Sequence, residues 1–315
     1  MWVFLSTGVY DRKVSVIILR TFLFILICYH KMEKKKRRFL PMKTILITGG
    51  SNGLGKGLAM AYLKRGDQIL VVASSTTHGT AFLQEAAQLG ATDRAVYLQA
   101  DLSLIVENRR LIEKVNKQVS ALDALIFCAT KHSAVYTETA EGLELTFALD
   151  YLSRFLLSYG LKGTLEKAAH PVILNICGSG MKGEVDWDDL QHKKQFAKQK
   201  VMMHGSRLND LSGVAFAQND SVGKIKYILY NPWAVQTPGM LAMFPNPLLK
   251  GLYKLMGKPV KKAILPIMHL PDRAPVGLSA YRENKPLALS LPPYNKENAQ
   301  KLYQITHKIV ESVQV

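Results

Sequence analysis

Thr48-Gly49-Gly50-Ser51-Asn52-Gly53-Leu54-Gly55 is a run whose residue types and spacing suit the binding of a phosphate. Gly49 permits a tight turn, Gly53 lets an anion approach the backbone, and Gly55 lets a helix lie close to a strand. Ser51, Asn52 and Leu54 fill the loop between them. The N–H groups of a helix start point at the anion and carry partial positive charge. A plain glycine turn has the same composition, so the context decides. Thr44-Ile45-Leu46-Ile47 before the run has the pattern of a buried strand, and Lys56–Arg65 after it has the pattern of a helix. Strand, glycine loop and helix together make a phosphate cradle.

The rest of the chain supplies elements to position such a cradle. Strand patterns occur at Thr44–Thr48, Gln68–Ala73, Ala95–Gln99, Ala124–Cys128, Val172–Cys177, Lys226–Tyr230 and Leu287–Leu291. Amphipathic helical patterns lie between them at Gly55–Arg65, Gly79–Leu89, Val106–Val119, Gly142–Leu165 and Phe196–Gln218. Alternating strands and helices predict an α/β fold: a doubly wound, Rossmann-like parallel sheet of about seven strands with helices on both faces. Its ligand crevice lies at the carboxyl ends of the strands. Residues 42–315 form one domain on this reading, with 238–275, rich in Pro, Leu, Met and Lys, as a substrate-side lobe.

The Thr-Gly-x-x-x-Gly-x-Gly spacing resembles the short-chain dehydrogenase/reductase family. The resemblance implies a nicotinamide cofactor and hydride transfer between alcohol and carbonyl groups. It places Gly49, Ser51, Asn52, Gly53, Leu54 and Gly55 on the pyrophosphate. Asp101-Leu102 after the third strand is similar to the family's Asp-Leu pair at the adenine, although Asp101 and Ser103 are also good helix caps. Ala129 is what remains of the family's Asn-Asn-Ala-Gly after the fourth strand. Pro232 and Thr237 match its Pro-Gly-x-x-x-Thr segment, with Trp233 in the glycine's place as a stacking surface or a core residue. After the second strand comes Ala73-Ser74-Ser75-Thr76-Thr77, with no acid to hold a ribose 2′-hydroxyl. Ser74 is then a donor to a 2′-phosphate or part of a polar turn, and Lys56 offers positive charge. The expected cofactor is NADP, with NAD as the alternative.

The catalytic set departs from the family pattern. The branch of retinol dehydrogenases and protochlorophyllide reductases carries an Asp-Asp-Leu insertion before its Tyr-x-x-Ser-Lys. Asp188-Asp189-Leu190 resembles that insertion, and Phe196-Ala197-Lys198-Gln199-Lys200 follows. In this register Lys200 matches the lysine, which also holds the nicotinamide ribose, while Phe196 stands at the tyrosine position. Ser179 lies one residue beyond the serine position, which is Gly178, and Asp150 replaces the asparagine. A hydroxyl added at position 196 should fall one helical turn from Lys200. Tyr151, Tyr136, His204, Asp150 or water are other proton carriers, and Tyr281-x-x-x-Lys285 repeats the spacing in the wrong part of the topology. Two functions stay open: an NAD(P)-dependent oxidoreductase with an altered catalytic set, or a catalytically silent NADP-binding protein acting as sensor or scaffold. The expected partners are a small-molecule substrate and a second copy in a homodimer.

Composition limits the remaining classes. The chain has 315 residues, 48% hydrophobic and 21% charged, enough for a sizeable core. Its three cysteines are far apart, which implies neither a disulfide framework nor a metal site and fits a reducing compartment. The net charge of +17 comes with no basic-aromatic repeat, so a basic surface is favoured over nucleic-acid binding. Residues 1–41 hold nine basic and two acidic residues. Within them Val14–Tyr29 is an apolar run followed by the basic Lys31–Arg38. That is the pattern of a membrane anchor with a cytoplasmic domain, although the run is short and carries Arg20. The alternative is an upstream extension ahead of a start at Met42, where the first strand pattern begins.

Overall fold

The computed structural model describes residues 21–24, 41–244 and 246–313. The chain divides into two compact units, Met1–Met42 and Lys43–Val315. Of the first, 21–24 form a helical stretch; the rest of the apolar run 14–29 lies outside the described residues, and with it the anchor and the upstream-extension readings. No helix among the described residues is long and apolar enough to cross a membrane.

The second unit is an eight-stranded sheet of order β3-β2-β1-β4-β5-β6-β7-β8. Its parallel strands are β1 (Thr44–Thr48), β2 (Gln68–Ala73), β3 (Ala95–Gln99), β4 (Ala124–Phe127), β5 (Val172–Ile176), β6 (Lys226–Asn231) and β7 (Gly277–Arg282). A two-residue antiparallel strand, β8 (Lys285–Pro286), closes the edge through the turn at Glu283-Asn284. Successive side chains alternate between the faces. Leu46, Leu70, Val72, Leu125 and Phe127 enter one buried cluster, while Ile45, Ile47, Ile69, Val71 and Ile126 enter the other. Both clusters need helical cover, which is why the strands are apolar throughout.

Helices α1 (Gly53–Arg65), α2 (Thr76–Gln88) and α9 (Val260–Arg273) cover the isoleucine face. Helices α3 (Ile105–Gln118), α4 (Ser153–Gly160), α6 (Lys198–Asn219) and α10 (Lys296–Ser312) cover the other. The short α5 (Lys162–Glu166) follows α4. The lobe between β6 and β7 consists of α7 (Pro238–Ala242), α8 (Pro247–Met256) and α9.

Two elements differ from expectation. The last parallel strand is Gly277–Arg282, not Leu287–Leu291. Leu287–Leu291 lies between Pro286 and Pro292-Pro293, and proline supplies no N–H to a ladder. The single helix expected over 142–165 is instead a π-helical stretch, Phe147–Leu152, feeding α4. There the Asn209 amide donates to the Asp150 carbonyl at 2.9 Å, so a side chain satisfies a backbone group within the π turn.

Chain order reverses between β1 and β4, and the crevice opens there, at the strands' carboxyl ends.

Candidate functional site

The crevice is a cleft of about 800 Å³. Each parallel strand from β1 to β6 delivers residues to it at its carboxyl end.

The glycine loop sits at the centre. Gly49 has φ +64°, and a Cβ there would lie 2.6 Å from the Ala129 nitrogen. A Cβ at Gly55 would lie 2.4 Å from the Gly49 carbonyl oxygen, so loop and helix pack too closely for any side chain. Asn52 caps α1 by accepting from the Gly53 N–H at 2.7 Å, and Gly66 closes the helix in the left-handed region. Gly49, Ser51, Asn52, Gly53, Leu54 and Gly55 all line the cleft.

Ser74, Asp101, Leu102, Ala129, Pro232 and Thr237 line it as well. Asp101 accepts from the Ser103 N–H and hydroxyl at 3.0 and 2.7 Å, the geometry of a cap. Thr237 caps α7 by accepting from the Met240 N–H at 3.2 Å. Trp233 is no core residue: it has φ 60°, is 58% exposed and lies under the Arg282 guanidinium. Lys56 does not line the cleft; its ammonium pairs with Glu85 at 2.6 Å. His78, in the first turn of α2, lines the cleft beside Ser74. Its place three residues after the Ser75 cap was the available sequence signal.

The catalytic expectations fare differently. Asp150 lines the cleft and accepts from the Thr130 hydroxyl at 2.6 Å and the Lys131 N–H at 3.3 Å. His132, also in the cleft, places Nδ1 3.7 Å from the Asp150 carboxylate. Lys200, Phe196 and Ser179 do not line the cleft. Lys200 is exposed and pairs with Asp186 at 3.3 Å. Phe196 precedes α6 and meets Tyr136 edge-on, ring centroids 6.1 Å apart. Ser179 is buried behind the cleft, its hydroxyl 2.9 Å from the Tyr294 hydroxyl.

The physical reason is helix register. Asp189 holds the loop before α6 by accepting from the Lys193 and Lys194 N–H groups at 2.8 Å, and Phe196 still lies in that loop. Helix α6 starts only at Lys198 and presents Val201, Met202, Gly205, Ser206 and Asn209 to the cleft. Met202 and Ser206 stand four apart on one face. At the end of β5, a Cβ on Gly178 would lie 2.3 Å from the Ser206 hydroxyl oxygen. Among the described residues lining the cleft there is no tyrosine, and the lysine is Lys131.

Other expected proton carriers are remote. Tyr151 is buried with its hydroxyl 2.5 Å from that of Thr306, and burial raises its pKa. Tyr136 donates to Glu138 outside the cleft, and burial with that carboxylate pushes its phenol up to about 12. His204 packs against His192 off the cleft, and burial lowers it to about 4. Arg154 was not anticipated. It lines the cleft, donates to the Ala129 and Ile176 carbonyls, and bonds the buried Asn175. It thereby ties the ends of β4 and β5 together.

A family model described as short chain dehydrogenase matches residues 43–187. Mouse Retinol dehydrogenase 12 is 22% identical over 276 residues, covering 86% of this chain and 87% of its own length. Mouse Retinol dehydrogenase 14 is 29% identical over 167 residues, half of each chain. The chain is similar to the short-chain dehydrogenase/reductase family, with the model matching over residues 43–187. A short chain dehydrogenase from Burkholderia cenocepacia J2315, solved in complex with NADP, shares the family fold with a TM-score of 0.59. It is 17% identical, and the match covers 77% of this chain and 97% of that one. Met202 and Ser206, four apart on the cleft-facing side of α6, lie six residues beyond Phe196 and Lys200.

Proposed function

We propose that this chain binds a nicotinamide dinucleotide, NADP(H) in preference to NAD(H), and that its family's proton relay is not assembled in its cleft. The cradle supports the first part: Gly55 fits only without a side chain, and six loop residues face the cavity. The volume is within the range of small-molecule sites, about 300–1,000 Å³. Ser74 and His78 at the end of β2 favour a 2′-phosphate, since both can donate and no acid stands beside them to repel it. The Burkholderia cenocepacia short chain dehydrogenase solved with NADP supports the same cofactor.

One observation carries the second part. Helix α6 faces the cleft with Val201, Met202, Gly205, Ser206 and Asn209, none of them a tyrosine or a lysine; Met202 and Ser206 stand one turn apart there, with Gly178 against Ser206. A bound nicotinamide would supply the hydride. A thioether, a primary hydroxyl and a glycine cannot hand a proton to a carbonyl oxygen at neutral pH or lower a neighbour's pKa as an ammonium does. The chain then acts as a nucleotide-binding protein. Calorimetry with NADPH and NADH tests the reading. NADPH should bind more tightly; tighter NADH would remove the NADP preference, and binding of neither would remove the cradle.

A second reading rests on the Thr130-Asp150-His132 cluster. A carboxylate beside an imidazole within the cleft is an acid/base pair in its own right. It supports an oxidoreductase in which His132 protonates a small-molecule carbonyl. NADPH oxidation across aldehydes, ketones and quinones, lost on His132→Ala with NADPH still bound, would favour it.

A further inference from the structure

Helix α8, Pro247-Leu-Leu-Lys-Gly-Leu-Tyr-Lys-Leu-Met256, turns its apolar face outward. Leu248 and Leu255 are each 84% exposed, and Leu249, Leu252 and Met256 are exposed beside them. At about 100° per residue these five span an arc of roughly 120°. One flank of the arc and the C-terminal end hold the helix in place. The Tyr253 hydroxyl donates to the Val235 carbonyl at 3.0 Å, and the Gln236 amide donates to the Gly257 carbonyl at 2.8 Å. Inward rotation of the leucines would break both bonds. Val235 lines the cleft, as do Pro238, Gly239 and Met240 of α7, so this face stands at the cleft's rim.

Charge tells what it meets. From Pro238 to Pro271 the chain carries Lys250, Lys254, Lys258, Lys261 and Lys262 and no Asp or Glu. Lys258 is paired with Glu283; no ion pair involves the other four among the described residues, and all four are exposed. A short helix with a leucine arc, lysines on its polar side and no acid is built to lie in a membrane interface, its apolar side among acyl chains and its ammonium groups reaching the anionic headgroup layer.

We propose that α8 docks this chain on an anionic lipid bilayer, with the cleft opening at the membrane surface. This is a contact distinct from the apolar run at 14–29, and it does not depend on nucleotide binding.

The test uses the full-length chain as Cys28→Ser/Leu252→Cys, labelled with a thiol-reactive NBD fluorophore. Burial pushes the Cys128 and Cys177 thiols up to about 12, so they react slowly beside an exposed cysteine. Vesicles of phosphatidylcholine with about 30% phosphatidylserine should shift the emission to the blue and allow quenching by brominated acyl chains, with neutral vesicles binding at least tenfold more weakly. Leu248→Gln/Leu255→Gln should reduce the shift tenfold or more at the same lipid concentration. The probe reports α8 itself, so a chain held on vesicles only by 14–29 would co-float with unchanged emission, and that result would overturn the proposal. Blue-shifted emission before lipid is added would also overturn it: dependence on protein concentration would assign the face to a second copy, and independence to a segment of the same chain. Equal response to neutral and anionic vesicles would overturn the role of the lysines.

Discussion

His204 is buried against the His192 ring, where burial lowers its pKa from 6.5 to about 4 and the neighbouring histidine adds to the effect. Between those two values the unfolded chain takes up a proton that the native state refuses. The native state therefore loses stability as pH falls through that window, by about 2 kcal/mol between pH 7 and pH 5. Asp210 works in the opposite sense. Burial pushes it up to about 6 from 3.8, so the native carboxyl takes up its proton first and stability is gained as pH falls between those values. The two effects mask each other in the parent. Urea unfolding of His204→Gln should expose the Asp210 contribution: relative to the parent, the variant should gain about 2 kcal/mol on moving from pH 7 to pH 5. An identical pH dependence would show that His204 titrates normally. At the cradle, Gly55→Val should destabilise by roughly 1–3 kcal/mol and abolish nucleotide binding, because its Cβ would meet the Gly49 carbonyl oxygen at 2.4 Å. Chemical denaturation and calorimetry on the same sample check both.

At the level of elements, strands β1 to β6 and the glycine cradle were legible because each depends on local chemistry. A short apolar run between turn residues marks a strand buried on both faces, and Gly49, Gly53 and Gly55 are each required by backbone conformation or close approach. Helix α6 was not legible in register. A family lysine could be matched at Lys200, and nothing in residue identity marks Met202 and Ser206 as the cleft-facing pair. The available signal was the burial period through Val201, Leu208 and Leu211, which starts the helix face after Lys200. Strand β7 was missed because Gly277-Leu-Ser-Ala-Tyr-Arg282 is too mixed to stand out, and only pairing with β6 defines it. The cleft-facing register proposed here predicts that Phe196→Tyr leaves carbonyl-reductase activity unchanged, since its ring lies against Tyr136 outside the cleft. A rise in NADPH oxidation with that variant would restore the Phe196–Lys200 register. The π turn at Phe147–Leu152 is held by the Asn209 amide on the Asp150 carbonyl. Asn209→Leu should disturb Asp150 and leave a buried carbonyl without its donor, costing about 1–3 kcal/mol in thermal or chemical unfolding.

For the whole molecule, the compact unit from Lys43 onward contains the complete sheet, both core clusters and the whole cleft. Removal of residues 1–42 should therefore leave a cooperative thermal transition and unchanged NADPH affinity; loss of either would make the first unit part of the fold. The central claim is that this cleft holds the family's cofactor while α6 presents no proton donor and no ammonium group. NADPH oxidation against a panel of aldehydes, ketones and quinones, parent beside Met202→Tyr/Ser206→Lys, tests it most directly. The parent should not exceed the uncatalysed rate. The variant should exceed it by about 10²–10⁴-fold on at least one carbonyl, because a phenol and an ammonium one turn apart restore the missing acid. Robust turnover by the parent, undiminished or reduced in the variant, would contradict the claim.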